Sequence, residues 1–356
     1  MFGLALSDLL FAALFSYFVA LVLALVSVRF AIPLQMKRGF YGRDQNKLSK
    51  PNIAEPLGFV VFCSLIVAII VTLILPFQIS FTEFTHLLGA MLSIALVILI
   101  GLYDDRATVK KGRGIGYKMH ALLLVAASLP FVVLYRGPDT IYFPIVGAVG
   151  FGVFYRFVLI PLGVTGAANA SNMFAGLNGL EAGSTAIMSF FLLIMALMVK
   201  SAGATLLSAA LLGVMVAFIL YNRYPARAFG GDSLTLPSGA TIALIAMVSK
   251  LEFFVALMFL PHYVNSALTF RAMLVAKLKG DASFKPLSFG TPDKRGRLHP
   301  KTYAGFYTHL THVVMALGER FGGFSEQKVV LILLAIQLLA ALLGFLFFLL
   351  FVPLGC

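Results

Sequence analysis

The stretch Phe84-Thr-His-Leu-Leu-Gly-Ala-Met-Leu-Ser-Ile-Ala-Leu-Val-Ile-Leu-Ile-Gly-Leu-Tyr-Asp104-Asp105 decides the fold. Residues 84–103 carry no Asp, Glu, Lys or Arg, and the run then ends in two adjacent carboxylates. A helix rises about 1.5 Å per residue and the hydrocarbon core is about 30 Å thick, so roughly 20 such residues span it. Uncharged runs of the same kind cover 9–28, 56–82, 201–222 and 329–356. Apolar residues make up 60% of the 356 positions and charged residues 12%, about half the charge of an ordinary soluble domain. The fold class read from this is all-α: a polytopic integral membrane protein.

About ten spans are expected, at 7–29, 57–78, 84–103, 119–135, 145–168, 183–200, 203–222, 237–250, 252–272 and 329–352. The eighth is short. The first run lacks a basic leader and a small-residue cleavage site, so it reads as a retained helix. Of the 27 Lys and Arg, all but Arg136, Arg156, Lys200 and Lys250 fall in the loops after the odd-numbered spans. The positive-inside rule then puts both termini outside and the acidic span ends inside. The net charge of +13 accordingly points to anionic lipid and anionic substrates, not to nucleic acid. Two cysteines, Cys63 and Cys356, support neither a disulfide framework nor a thiolate metal site. A single transmembrane catalytic domain over 1–356 is expected, with one long basic cytoplasmic loop at 273–328 and an interfacial helix within 301–320.

Carboxylates at the mouths of membrane segments are costly unless paired, hydrated or metal-bound, so they mark a site. Four stand out among only 14 acidic residues: Asp104, Asp105, Glu181 and Asp232. Adjacent Asp104 and Asp105 cannot point the same way on one helix, and Lys118 opens the next span. Asn169-Ala-Ser-Asn172 and Asn178-Gly-Leu-Glu181 flank Ala175-Gly176, and carboxamide oxygens suit a hard cation such as Mg²⁺. Glycines at 176, 179 and 183 permit close backbone approach to a ligand, or simply close helix packing. Asp232 follows Gly230-Gly231, as in a tight turn that delivers a carboxylate to a metal. In Lys294-Arg295-Gly296-Arg297, the Arg forks could clamp a diphosphate. His309 and His312 read as surface residues of the amphipathic segment, not as a metal pair. Gly112-Arg-Gly-Ile-Gly116 lacks the preceding strand of a dinucleotide loop.

Together and in this order, these motifs resemble the polyprenyl-phosphate N-acetylhexosamine-1-phosphate transferase family. The resemblance covers most of the chain: Gly42-Arg-Asp-Gln-Asn46-Lys47, Asp104-Asp105, the 169–183 block, Arg223-Tyr-Pro-Ala-Arg-Ala-Phe-Gly-Gly-Asp232 and Pro261-His-Tyr-Val-Asn265. The form Ala-Gly-Leu-Asn-Gly-Leu-Glu-Ala-Gly is similar to the eukaryotic and archaeal dolichyl-phosphate branch. Two departures are an insertion near 110–116 and a final loop reading Lys-Arg-Gly-Arg-Leu-His. The resemblance implies transfer of a sugar-1-phosphate, with GlcNAc as the branch's sugar, from a UDP-sugar to a polyprenyl phosphate in the bilayer. It assigns Mg²⁺, with Mn²⁺ as a substitute, to Asn172 and Asp232, and catalytic roles to Asp104, Asp105 and Lys118. Gly176, Asn178, Glu181, Arg295, Arg297 and His299 would surround the nucleotide sugar. Asn46, Lys47 and Asn169 would serve the lipid phosphate or the polar framework. It leaves a homodimer open and, in an archaeal cell, implies the plasma membrane. Two alternatives stand beside it: a secondary transporter of a phosphorylated metabolite, and a lipid-phosphate glycosyltransferase releasing UDP.

Overall fold

The computed structural model describes residues 6–75, 79–111 and 114–352, apart from the side chains of Lys111 and Tyr117. Cys356 and part of the 112–116 glycine segment lie outside the described residues. The chain is mostly helical. Its helices are α1 (Leu6–Lys37), α2 (Gly58–Thr72), α3 (Phe81–Lys111), α4 (Tyr117–Leu134), α5 (Ile160–Met173, entered through a π-helical turn, Tyr155–Leu159), α6 (Leu180–Met198), α7 (Ala202–Asn222), α8 (Asp232–Ser249), α9 (Glu252–Met258), α10 (Leu260–Leu278), α11 (Leu310–Glu319) and α12 (Glu326–Phe351). By length and composition, six of the described helices can cross a membrane. The number is seven if α9 and α10, bent by 63°, count as one crossing.

Several boundaries differ from expectation for identifiable reasons. The start of the fifth expected span is instead an antiparallel hairpin, β3 (Thr140–Phe143) with β4 (Gly147–Gly150). The third helix continues past Asp104 and Asp105 to Lys111, so both acids lie within a helix. The eighth span, short as an apolar run, is the centre of the molecule. Every residue from Ser233 to Ser249 is buried, and α8 packs against α2, α3, α5, α6, α7 and α9. A helix enclosed by protein needs no lipid-facing apolar surface, so Ser, Thr and Gly are tolerated and let neighbouring backbones approach. A Cβ on Gly101 of α3 would sit 2.7 Å from the Asp232 carbonyl carbon, and one on Gly58 would collide with the Leu234 backbone.

The chain shuttles between two ends of this bundle. At one end, Gly58 N–H donates to Gly230 (2.9 Å) and Gly179 N–H to Asn222 Oδ1 (2.9 Å). At the other, Ala202 N–H donates to Glu83 Oε1 (2.6 Å), Arg136 N–H to His86 Nε2 (2.8 Å) and Tyr142 OH to the Phe351 carbonyl (2.7 Å). Arg156 pairs there with Asp139 and Lys250 with Glu252. Of the basic residues that the loop pattern sets apart, Arg136, Arg156 and Lys250 thus sit at this second end, and Lys200 follows α6 there.

The 273–328 segment folds into a cap over the first end. It contains a three-stranded sheet of β5 (Thr291–Pro292), β6 (Arg297–His299) and β9 (Phe324–Ser325). A hairpin of β7 (Thr302–Tyr303) with β8 (Phe306–Tyr307) leads into α11. The expected helix within 301–320 therefore begins only at Leu310. Leu298, Val314, Met315, Phe324 and Val329 form a second core with Phe174, Leu177 and Leu180. His309 and His312 belong to this buried layer, at 3% and 0% exposure, which corrects their reading as surface residues.

The close approach of α2 to α8 yields a test. Gly58→Val forces a branched side chain into the Leu234 backbone, and overpacking of this kind costs about 1–3 kcal/mol. The detergent-solubilised variant is expected to unfold several degrees below the parent chain, while Val at Gly150, an exposed strand position that faces open space, serves as a comparison for hydrophobicity alone.

Candidate active site

Between the first end of the bundle and its cap lies a cavity of about 630 Å³. Its lining includes Asp104 and Thr108 from α3, Asn169 and Asn172 from α5, and Asp232 and Thr235 from α8. The helical repeat makes each of these pairs share a face, because residues three or four apart are neighbours on a helix surface. Gly176 and Asn178 line it from the α5–α6 turn, Glu181 from the first turn of α6, Asp44, Asn46 and Glu55 from the α1–α2 segment, and Ser288, Phe289 and His309 from the cap.

The two adjacent aspartates divide their work by helix geometry. Successive residues point about 100° apart, so Asp104 faces the cavity while Asp105 faces α8. Asp105 is buried at 8% exposure. It accepts hydrogen bonds from Asp232 N–H (2.7 Å) and Ser233 N–H (3.0 Å). Those are orphan amides of the first turn of α8, which no intrahelical carbonyl can satisfy. Gly231 has φ +70°, and a Cβ there would lie 2.5 Å from Asp105 Oδ1. Asp105 thus caps α8 from a neighbouring helix and does not line the cavity.

Asp104 accepts from Ile115 N–H and lies close to Asp232. Asn172 Nδ2 donates to Asp232 Oδ1 (2.7 Å) and Thr235 Oγ1 (3.0 Å). Among the described residues no Lys, Arg or His lies within 4.0 Å of the carboxylates of Asp104, Asp232, Glu181 or Glu55. Clustered carboxylates of this kind favour a shared proton or a bound cation. No group of three or more His, Cys, Asp or Glu is preassembled as a metal cage among the described residues. Mg²⁺ characteristically takes one or two carboxylates together with waters and substrate phosphates, so two carboxylates and an amide fit it. The Asn172 amide donates N–H here; a hard cation would take the oxygen of the same group.

A second network fixes the loops that surround these acids. Asn46 Nδ2 donates to the Gly176 carbonyl (2.9 Å), and its Oδ1 accepts from Gly290 N–H (3.1 Å). Asn178 Nδ2 donates to Asp44 Oδ2 (3.0 Å), and its own N–H to Glu326 Oε1 (2.8 Å). Lys47 pairs with Asp44 (2.9 Å) and Glu326 and stands 4.3 Å from the Tyr224 ring centre. Asn46, Lys47 and Asn178 are therefore framework residues here. Gly176 adopts φ +111° against Ser288, a conformation in which a side chain would be strained. Gly183, in contrast, packs on Leu334 and serves helix contact.

Four expected residues stand elsewhere. Lys118 is exposed and does not line the cavity. In β6, Leu298 points into the cap core, so the alternation of a strand turns Arg297 and His299 the other way. Arg297 donates to the Gly322 carbonyl, and His299 faces Asp293 (3.7 Å) and Glu319 (3.3 Å). Arg295 is an exposed turn residue whose N–H donates to Asp293 Oδ1 (2.8 Å). None of Arg295, Arg297 and His299 lines the cavity; Arg43 is the one Lys or Arg among its described lining residues. Glu55 and Glu326 went unnoticed in the sequence, Asp44 stood there only as part of a motif, and His309 was read as a surface residue. Glu55 follows Asn-Ile-Ala and precedes Pro, a context with no motif; its role comes from β2 (Asn52–Ala54), paired with β1 (Tyr41–Arg43) at the cavity edge.

Burial, with the charges of Asp232 and Glu181 nearby, pushes the Glu55 carboxyl up to about 7. The folded state then binds this proton more tightly than the unfolded chain. Glu55 accordingly removes stability as pH rises from about 4.5, the loss levelling off above about 7. Without divalent cation, Glu55→Gln should flatten the decline in melting temperature across that window. For Asp105→Ala, loss of a charged acceptor from two buried amides should cost about 1.5–3 kcal/mol per bond at most. Circular dichroism melting should show it as a lowered transition, and Asp105→Asn should recover part of the loss.

Residues 87–250 match the family model described as Glycosyl transferase family 4. A protein of Sulfolobus acidocaldarius named for UDP-N-acetylglucosamine–dolichyl-phosphate N-acetylglucosaminephosphotransferase activity is 31% identical over 95% of this chain and 97% of its own length. A phospho-N-acetylmuramoyl-pentapeptide-transferase of Carboxydothermus hydrogenoformans is 29% identical over 77% of this chain and 86% of its own. A UDP-N-acetylglucosamine–dolichyl-phosphate N-acetylglucosaminephosphotransferase of Dictyostelium discoideum is 28% identical over 63% of each chain. The matched region holds Asp104, Asp105, Asn172, Glu181 and Asp232, so the constellation at the mouth of the bundle lies within the part of the chain that the family model covers. The chain belongs to glycosyl transferase family 4, the polyprenyl-phosphate N-acetylhexosamine-1-phosphate transferases that its motifs resemble.

Proposed function

We propose that the chain transfers N-acetylglucosamine-1-phosphate from UDP-N-acetylglucosamine to a membrane polyprenyl phosphate of the dolichyl type, releasing UMP. The observation that carries this reading is the meeting of Asp104, Asn172 and Asp232 in one cavity at the end of a membrane bundle. The name of the relative with 31% identity supports the donor and acceptor. At about 630 Å³ the cavity has the size of a small-molecule site.

Asp104, Asn172 and Asp232 would hold Mg²⁺, or Mn²⁺ in its place, and the ion when bound supplies charge neutralisation for the donor diphosphate. Glu181 and the Gly176 backbone border the nucleotide side. Asp105 acts at one remove, by fixing the first turn of α8 and with it Asp232. In the reaction an oxygen of the lipid phosphate attacks the β-phosphorus of the donor. The bond from that phosphorus to the bridging oxygen breaks, and UMP leaves with the electron pair. A phosphate monoester has a second pKa near about 6, so the acceptor is already largely dianionic at neutral pH and needs no strong base. The task left to the protein is positioning and charge stabilisation.

The reading extends to topology. The shorter α2 and α4, the π-helical turn with α5, and the bent α9–α10 pair would bring the crossings to ten. The site end, which gathers the basic loops, would face the cytoplasm with both termini outside, all within one catalytic domain.

The test is to incubate purified protein with UDP-N-acetylglucosamine, polyprenyl phosphate and Mg²⁺ and to identify the released nucleotide. UMP is the expected product; UDP would indicate glycosyl transfer instead, and no release would overturn the reading. Asp232→Asn should lower turnover by about 100-fold or more, with the melting temperature retained.

A further inference from the structure

A surface helix that packs on one core needs a single apolar stripe; α11 has two. The first, with Val314 and Met315, is buried in the cap. The second runs along the opposite side at helical spacing, from Leu310 and Val313 to Leu317 and, just past the helix, Phe321. Leu317 is 49% exposed and Phe321 76%. Val313, Ala316 and Leu317 form with Tyr307 the wall of an open groove of about 450 Å³. Single exposed apolar side chains are ordinary, but a contiguous set marks a surface that something covers.

Both flanks of this surface continue onto α10 and α12, whose exposed sides are apolar. On one flank the Arg271 guanidinium of α10 stands 4.6 Å from the Phe306 ring centre and donates to the Tyr307 carbonyl (3.1 Å). Phe270 and Leu274, one turn apart on α10, are exposed beside it. On the other flank Phe321 stacks on Phe324, with ring centres 6.2 Å apart, and the Lys328 ammonium lies 4.2 Å from the Phe324 ring centre. Exposed Leu331 follows one turn along α12. Among the described residues no carboxylate lies within 4.0 Å of the charged groups of Arg271, Arg320 or Lys328. Long cationic side chains beside aromatic rings suit the boundary between hydrocarbon and headgroups, because each has an apolar body and a polar tip. A second copy of the chain or an acidic protein would have to displace lipid from α10 and α12 to reach the same residues.

We propose that the outer face of α11, with Phe306 and Phe321 at its ends, is a membrane-docking foot of the cap. The rings enter the boundary of the near leaflet, and Arg271, Arg320 and Lys328 meet the phosphates of anionic lipids. The consequence reaches the cavity. His309, part of its wall, immediately precedes α11, and Leu310 N–H donates to Asn265 Oδ1 of α10 (2.9 Å). Lipid against α11 therefore steadies the wall that the cap lends to the cavity. Docking of this kind is independent of which donor and acceptor the cavity takes.

The test reads where position 321 sits. The full chain, with Cys63 and Cys356 replaced by Ser and Phe321→Cys carrying a fluorophore, is reconstituted in phosphatidylcholine. Leu339→Cys on α12, an exposed position far from either helix end, gives the response of a lipid-facing site. Quenching of the 321 probe by doxyl-labelled lipid is the expected result. A probe that only aqueous iodide reaches overturns the proposal, as does one that neither quencher reaches, which would mean cover by protein. The charged component is read by comparing doxyl-labelled phosphatidylglycerol with doxyl-labelled phosphatidylcholine at the same trace content. One basic residue near an anionic surface contributes about 1 kcal/mol, which is about fivefold in an equilibrium. The site should therefore favour phosphatidylglycerol by about fivefold or more, and Arg320→Gln combined with Lys328→Gln should lower that preference several-fold. Equal quenching by the two lipids in the parent chain, or an undiminished preference in the double variant, overturns the assignment of anionic lipid to this face.

Discussion

The first turn of an enclosed helix brings backbone amides into a region without water, and something must accept their hydrogen bonds. In this protein that helix is α8, surrounded by six others, and the acceptor is the carboxylate of Asp105. The requirement is structural before it is chemical. Because Asp105 is held at the start of α8, Asp104 turns to the cavity, and Asp232 emerges opposite it. The glycines at 101 and 231 follow from the same contact, since side chains there would push the two helices apart, whereas a Cβ on Gly230 would meet Leu234 of α8 itself. The cavity is thus a consequence of how a buried helix is begun.

The cap makes a different kind of contribution. It supplies few charges to the cavity, although it carries many. Its basic cluster sits on the far face of a short sheet, held there by Leu298 and an aspartate-nucleated turn. Its polar contribution to the cavity wall is neutral: Ser288 and His309. The cavity thus has carboxylates on the bundle side and uncharged groups on the cap side.

Much of the bundle was legible in the sequence, because lipid-facing helices must be apolar over their whole length. The acids were legible for the converse reason, as charges where charge is expensive. The central helix was underestimated because it is shielded by protein, so Ser, Thr and Gly shortened its apolar run to 237–250 although it spans Asp232–Ser249. Arg297 and His299 were misjudged because composition does not reveal which face of a two-residue alternation is inward. Glu55 and Glu326 gave no local signal; Glu326 depends on Lys47 and Asn178, far along the chain. His309 was read as a surface residue because its burial depends on the fold of the cap.

The wall of the cavity runs from Gly42 to His309, and Glu326 at the start of α12 bolts the loops together. Synthesis delivers these pieces in order, Asp44 and Glu55 of the α1–α2 segment first, Asp104 of α3 later and the bolt last. A nascent chain therefore carries its carboxylates through most of translation with no wall around them. The frame of loops is complete only with the final helix, whose Glu326 is the second partner of Lys47. A chain stopped short of α12 would lack the closing helix of the bundle and the closing residue of the site together.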